Sequence, residues 1–321
     1  MLDRPAHKVL CTALLEDAAV LASSAPLAAV LRRSTGIQTS EGLQMCELIA
    51  LSCRYPARLT TSLTGLAARA QKAVSRNHDG WGAAFYQGAD IALYRDTSAA
   101  DQSPLVPWLE AHGPEATLSM AYIRHATQGS IELANTGPYV RELNGRMRLF
   151  AHNGNLTGIR SQYESDRRRY HPVGDTDSEA AFCLLLETLA AQEGDYKTLP
   201  PVDERLANLA VLFGELRELG PANFLYADSQ TLFVYADRRF QPATGKIEAP
   251  ALYLLSCGSE QSPELLDQNV ASSFAPGQHV ALISTVPLND KPWRPLAEGE
   301  LLAIEAGRIV ARTCLPTRKK N

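Results

Sequence analysis

Five short segments of the 321-residue chain carry side chains suited to chemistry. They are Met45-Cys46-Glu47-Leu48, Asn77-His78-Asp79-Gly80-Trp81-Gly82, Arg124-His125-Ala126-Thr127-Gln128-Gly129, His152-Asn153-Gly154-Asn155-Leu156 and Gly174-Asp175-Thr176-Asp177-Ser178-Glu179. Cys46 offers a thiol nucleophile, although a lone cysteine at a strand start is usually a small core residue. Asn153-Gly154 offers an amide and a backbone N–H for an oxyanion, although Asn-Gly is most often a plain turn. Arg124 offers a bidentate fork for a carboxylate. An arginine at a strand end is also commonly a surface ion pair. Thr176 to Glu179 has the capping-box form, Thr at the N-cap and Glu three residues later, so it has a purely structural reading too. Taken singly, none of the five identifies a reaction.

The elements that must position these residues follow from the hydrophobic pattern. Cys46 to Ser52 is a short apolar run, read as a buried strand. Pro56 is expected to open a helix with Leu59, Leu63, Leu66, Ala67 and Ala70 on one face. Gly80 to Tyr86 and Ile91 to Tyr94 read as paired strands around the turn Gln87-Gly88-Ala89-Asp90. Thr117 to Arg124 and Arg148 to His152 are further strands, the second closed by Asn153-Gly154. The helix after the capping box places Phe182, Leu185, Leu186 and Leu189 on one face. Asn223 to Asp228 and Thr231 to Asp237 form a hairpin. Later strands fall near Leu252–Ser256, Val280–Val286, Leu301–Glu305 and Ile309–Arg312. Elements come in clusters joined by tight turns, which favours an antiparallel α+β arrangement over a doubly wound sheet.

Composition excludes several classes. Hydrophobic residues make up 45% and charged residues 21%, ordinary for a globular protein, so disorder, collagen and coiled coil are ruled out for the bulk of the chain. A net charge of −4 gives no nucleic-acid footprint. The six cysteines, at 11, 46, 53, 183, 257 and 314, form no CxxC pair and no disulfide scaffold. They fit a reducing cytosol, so a cytoplasmic location is expected; Cys53, Cys183 and Cys257 read as core thiols. No phosphate-binding glycine motif is present, and His78, Asp79, His125 and His152 have no metal-ligand spacing. Neither a metal nor a cofactor is expected. Residues 1–45 hold an Ala- and Leu-rich stretch broken by Glu16, Asp17, Ser23, Ser24 and Pro26, which is neither a membrane span nor a signal-peptide core.

In this order the five segments resemble the class II glutamine amidotransferases, which are N-terminal-nucleophile hydrolases. The implied fold is an αββα sandwich of two antiparallel sheets flanked by helices. The resemblance runs from Cys46 to the last strands. It includes Ser284-Thr285-Val286-Pro287-Leu288 with Trp293 following, and the His78 to Tyr86 form. Both are similar to a stand-alone subgroup, with relatives in ergothioneine synthesis and glutathione breakdown. The resemblance implies that Cys46 is the nucleophile and the first residue of the mature chain. Its free α-amino group, with a pKa near ~8, would take the thiol proton directly or through one water. The thiolate attacks the side-chain amide of glutamine, a γ-glutamyl thioester forms, ammonia leaves and water hydrolyses the thioester. The resemblance also implies that the Asn153 side chain and the Gly154 N–H hold the oxyanion. Arg124 and Thr127 would hold the α-carboxylate, and Asp177 the α-ammonium group. Asp79 and Gly80 would help to build the pocket wall, with Trp81 packing beside it. His125 stands where glucosamine-synthase relatives carry Trp, and reads either as a substrate contact or as a polar residue lining the pocket.

This organisation makes residues 46–321 one amidotransferase domain and residues 1–45 a leader. Three readings of the leader compete: translation starts at Met45; the leader is a propeptide removed before Cys46; or it persists, and the protein is a non-catalytic γ-glutamyl-binding module. The adjacency of Met45 and Cys46 favours the first. With no second synthase domain in the sequence, two enzymatic readings remain. The domain passes ammonia to a separate synthase subunit, or it hydrolyses a γ-glutamyl peptide or thiol conjugate. Glutamine or a γ-glutamyl compound is the expected partner, with no nucleic acid and no membrane.

Overall fold

The computed structural model describes residues 46–58, 66, 79–126, 129–162, 168–193, 198–257, 276–316 and 318. In chain order the first strands are β1 (Glu47–Ala57), β2 (Trp81–Gln87), β3 (Asp90–Asp96), β4 (Ala116–Ile123), β5 (Tyr139–Leu143) and β6 (Arg146–Gly154). There follow β7 (Ala222–Ala227), β8 (Leu232–Tyr235), the small pair β9 (Arg239–Gln241) and β10 (Lys246–Glu248), and β11 (Tyr253–Cys257). The last are β12 (Val280–Ser284), β13 (Arg294–Pro295), β14 (Glu300–Glu305) and β15 (Arg308–Cys314). The α-helices are α1 (Leu105–His112), α2 (Ile159–Gln162), α3 (Asp177–Glu193) and α4 (Val202–Leu216).

Two antiparallel sheets make the body of the protein. One runs β13-β11-β12-β1-β4-β2-β3, the other β15-β14-β8-β7-β6-β5. The alternation of side chains along each strand sorts them into layers. Leu48 and Ala50 of β1 and Leu118, Met120 and Tyr122 of β4 face Leu149 and Ala151 of β6 and Leu225 and Ala227 of β7, filling the space between the sheets. Ile49, Leu51 and Cys53, the alternate residues of β1, join Trp81, Phe85, Val106 and Leu109 on the outer face of the first sheet. With both faces covered, β1 reads as a continuous apolar run rather than an alternation. On the outer face of the second sheet, Phe150 stacks on Phe182 of α3 at 5.2 Å, and Phe213 of α4 meets Phe224 at 4.7 Å. The order of layers is helix, sheet, sheet, helix.

Most of the expected strands are present, as is the α3 face of Phe182, Leu185, Leu186 and Leu189, all buried. The helix expected to open at Pro56 is a correction. Pro56 lies inside β1, which continues to Ala57 opposite Ala116. Pro56 lacks an N–H but tolerates a strand where the chain is exposed, and it favours extended backbone at Tyr55 before it. Tyr55 itself is anchored by its N–H to Oε1 of Gln278 at 2.9 Å. Of the five residues expected on that helix face, Leu66 is helical and buried; Leu59, Leu63, Ala67 and Ala70 lie outside the described residues. The pattern reading missed α1, α2, α4, β5, the β9–β10 pair and β13. α4 buries Leu206, Leu209, Leu212, Phe213 and Leu216, a helical spacing that its charged N-terminal turn obscures.

Candidate active site

The register of the sheets brings the five segments to one end of the sandwich. Glu47 of β1 lies opposite Ile123, the last residue of β4, and Trp81, the first of β2, also lies opposite Ile123. Cys46 just before β1, Asp79-Gly80 just before β2 and Arg124-His125 just after β4 therefore meet. In the second sheet, Asn153 and Gly154 end β6, opposite Asn223 and Ala222 at the start of β7.

The Cys46 side chain is partly buried and packs against the layer between the sheets. Its Sγ lies 2.8 Å from the Tyr122 hydroxyl, 3.4 Å from the His125 N–H, which donates to it, and 3.5 Å from the His125 carbonyl oxygen. Burial pushes the Cys46 thiol up, and the Tyr122 and His125 contacts offset part of that rise. Burial also holds the Tyr122 pKa well above its ordinary value, so the phenol stays protonated as a donor. The Asn153 side-chain N–H donates to the backbone carbonyl of Cys46, which places this amide beside the cysteine.

Gly154 is glycine for a steric reason. A Cβ there would sit 1.9 Å from the Pro221 carbonyl oxygen and 2.4 Å from Nε2 of His152. Gly80 has φ +114°, and a Cβ would meet the Asp96 carbonyl at 2.9 Å. Its carbonyl accepts the Arg124 N–H at 2.8 Å, extending the β2–β4 pairing by one step. Oδ2 of Asp79 accepts the Ala126 N–H at 2.8 Å and faces Nδ1 of His125 at 3.9 Å. Asp79 and Gly80 thus hold the backbone that follows β4. Burial lowers the His125 pKa, with Asp79 opposing.

Arg124 is buried, and its guanidinium donates to the carbonyls of Ser130 at 2.9 Å and Gly129 at 3.1 Å. It thereby ties the 129–130 loop to the end of β4. Thr127 lies outside the described residues. Asp177 is the first residue of α3, where the helix dipole favours a carboxylate. Its Oδ2 accepts the Leu156 N–H at 2.7 Å and its Oδ1 the Ser178 N–H at 2.8 Å. Half of the capping box forms: the Thr176 hydroxyl accepts the Glu179 N–H at 3.2 Å, while the Glu179 carboxylate accepts the Gly174 N–H at 2.7 Å and pairs with Arg141. Trp81 departs from expectation. It is fully buried in the outer-face cluster with Ile49 and Ile123, on the far side of the sheet from the layer that Cys46 joins.

Five residues to which the sequence reading gave no role contribute. Tyr122 touches Sγ, and Asn223 donates to Asn153. Arg239 and Glu47 form a buried bidentate pair, at 2.7 and 3.1 Å. Thr285 adds to that pair: its hydroxyl donates to Glu47, and its carbonyl accepts from Arg239 at 3.0 Å. Burial opposes the charge on Arg239, but Glu47 more than compensates and moves its pKa up. Tyr122 carried one available signal, a polar tip on an inward-facing strand position two residues before Arg124. Among the described residues no three His, Cys, Asp or Glu side chains gather as a metal-binding group, and no helix is long and apolar enough to cross a membrane.

Two stacked antiparallel sheets flanked by helices, with a cysteine at the head of a central strand, define the sandwich of the N-terminal-nucleophile hydrolases. A sequence profile of the class-II glutamine amidotransferases matches residues 45–321. The chain belongs to that family. It is 33% identical over 261 residues to YafJ of Escherichia coli (strain K12), whose name assigns it provisionally as a glutamine amidotransferase; the match covers 80% of this chain and 96% of YafJ. It is similar to the 2.0 Å crystal structure of a predicted glutamine amidotransferase from Pseudomonas aeruginosa PA01, with 28% identity and a TM-score of 0.59 over 83% of this chain and 100% of that one. The allosteric regulatory enzyme of purine biosynthesis shares the fold at 14% identity, with a TM-score of 0.51 over 85% of this chain and 50% of that one.

Proposed function

We propose that this amidotransferase cleaves the side-chain amide of glutamine through a thioester on Cys46. The observation that carries the reading is the meeting of Cys46 with the Asn153 amide at the end of the sandwich, across 107 positions of sequence. Asn153 has two N–H groups, and one points at the nucleophile's own carbonyl. The Asn153 amide and the Gly154 N–H are assigned to the oxyanion of the tetrahedral intermediate. Arg124 is assigned to the α-carboxylate and Asp177 to the α-ammonium. Oδ2 of Asp177 accepts the Leu156 N–H and has capacity for a further donor, while Oδ1 accepts the Ser178 N–H and hydroxyl. Asp79, Gly80 and His125 shape the backbone around the thiol, and Thr127 completes the carboxylate site.

In this reading the active protein begins at Cys46, and the freed α-amino group accepts the thiol proton. Residues 46–321 are the catalytic domain, and the family match from residue 45 supports that boundary. Ammonia passes to a separate acceptor subunit in the cytoplasm, or the thioester is simply hydrolysed to glutamate. The same thioester also serves a γ-glutamyl peptide, with an amine leaving instead of ammonia.

The test combines mass and turnover. Protein from the native host should have the intact mass of a chain starting at Cys46 and should release ammonia from glutamine, and Cys46→Ala should abolish release. Glutamine turnover that survives Cys46→Ala overturns the mechanism. A stable, inactive product retaining residues 1–45 overturns it in favour of a binding module. Faster turnover of glutathione or γ-glutamyl anilides than of glutamine moves the substrate assignment to the γ-glutamyl peptides.

A further inference from the structure

We infer that Asn223 is a positioning residue for catalysis: it fixes which end of the Asn153 amide faces Cys46. The inference rests on the proposed reading of Asn153 as an oxyanion donor. An amide side chain has a donor end and an acceptor end of nearly equal shape, so its orientation follows from its neighbours. Two neighbours decide it for Asn153: the Cys46 carbonyl accepts from its nitrogen, and Asn223 donates to its oxygen.

Asn223 lies directly opposite Asn153 in the β6–β7 register, and both are fully buried. Its Oδ1 accepts the backbone N–H of Asp237 at 2.7 Å. A backbone N–H can only donate, so the oxygen of Asn223 must lie on that side. Its Nδ2 then faces two backbone carbonyls, Asn153 and Arg238, each at 2.9 Å, which can only accept. The same Nδ2 lies 3.1 Å from Oδ1 of Asn153. With a donor there, Asn153 turns its oxygen toward Asn223 and its nitrogen toward Cys46. The polarity at the nucleophile is inherited, through two side chains, from backbone groups that cannot reverse. With the Asn153 amide reversed, an oxygen lone pair would face the developing oxyanion and repel it.

Asn223→Asp tests this with little change of shape. Its carboxylate still accepts the Asp237 N–H but has nothing to donate to Asn153; as a charged acceptor it competes with the Cys46 carbonyl for the Asn153 N–H and draws the amide round. The expected result is a fall in kcat for glutamine of about 10²–10³-fold, the usual cost of losing one oxyanion donor, with KM little changed. A double-variant cycle separates positioning from general damage. Asn153→Ala and Asn153→Ala/Asn223→Asp should have the same kcat, because Asn223 has no amide left to orient. Alkylation of Cys46 by iodoacetamide at the wild-type rate shows that the fold and thiol are intact. Should Asn223→Asp fail to fold, Asn223→Ala enters the same cycle. A wild-type kcat in the Asn223 variant, or losses that multiply in the double variant, overturns the role of Asn223. If wild-type protein does not turn over glutamine, or Asn153→Ala leaves kcat unchanged, the underlying reading of the site fails instead.

Discussion

Arg239 grips Glu47 with both terminal nitrogens across 192 positions of sequence, and so ties the residue after Cys46 to the segment that follows β8. The pair is buried and shares Thr285 as a common partner. Arg239→Met should therefore leave a buried, unpaired carboxylate and cost about 3–5 kcal/mol of stability. Glu47→Gln/Arg239→Met should cost less than Arg239→Met alone. Urea unfolding of the two variants checks the order; equal losses would mean that the pair carries no buried charge.

Gly154→Ala should be far more damaging than an alanine at an ordinary strand position. The added methyl would lie within the radius of the Pro221 carbonyl oxygen, so β6 and β7 must part at the active-site end. Overpacking of this kind costs about 1–3 kcal/mol. Displacement of the Gly154 N–H should lower kcat by about 10²-fold or more if that group holds the oxyanion. Thermal unfolding together with glutamine turnover checks both parts. Wild-type turnover would remove Gly154 from the oxyanion site.

The pH dependence of Cys46 alkylation should report its surroundings. Burial pushes the thiol above the ordinary value of 9.0, so in protein retaining residues 1–45 the iodoacetamide rate should still be climbing past pH 9.0. The Tyr122 hydroxyl favours the thiolate, so Tyr122→Phe should move the curve further toward alkaline pH. Protein starting at Cys46, whose α-amino group takes the thiol proton to leave an ammonium–thiolate pair, should move it the other way. An unchanged profile in Tyr122→Phe would show that the phenol does not donate to sulfur.

Acid should destabilise the fold through buried histidine. His152 is fully buried, its Nδ1 is 2.9 Å from the Ser178 hydroxyl, and burial lowers its pKa below 6.5. The unfolded chain then binds more protons than the native one. The stabilising contribution is complete above pH 6.5 and declines as the pH drops toward the lowered native value. His125 acts in the same direction. Urea midpoints measured from pH 7.5 down to 5 should fall, and His152→Gln should flatten that slope. A slope equal to wild type in His152→Gln would show that this histidine titrates normally.

The segments of the candidate site are local and were legible from short patterns. Cys46, Asp79-Gly80, Arg124, Asn153-Gly154 and Asp177 each lie at the end of a strand or helix whose alternation or cap marks its limit. The start expected for a helix at Pro56 was wrong because β1 continues to Ala57, held by pairing with Ala116 and by the Tyr55 N–H on the Gln278 side chain, while Leu66 further on is helical. Trp81 sits in a recognisable motif, yet the parity of β2 turns it to the outer face.

By itself the sequence determined the antiparallel α+β pattern and the order of the candidate catalytic segments, because these depend on neighbours within a few residues; the two-sheet sandwich followed from the resemblance to the family. Only the tertiary structure decided what stands behind them. Tyr122 at Sγ, Asn223 behind Asn153 and Arg239 on Glu47 are meetings of residues 70 to 192 positions apart. They are set by strand register and by the stacking of one sheet on the other. A single polar residue in an apolar strand looks the same in sequence whether it orients a catalytic amide or merely caps a layer. The partner opposite it makes the difference, and that partner is chosen by the fold.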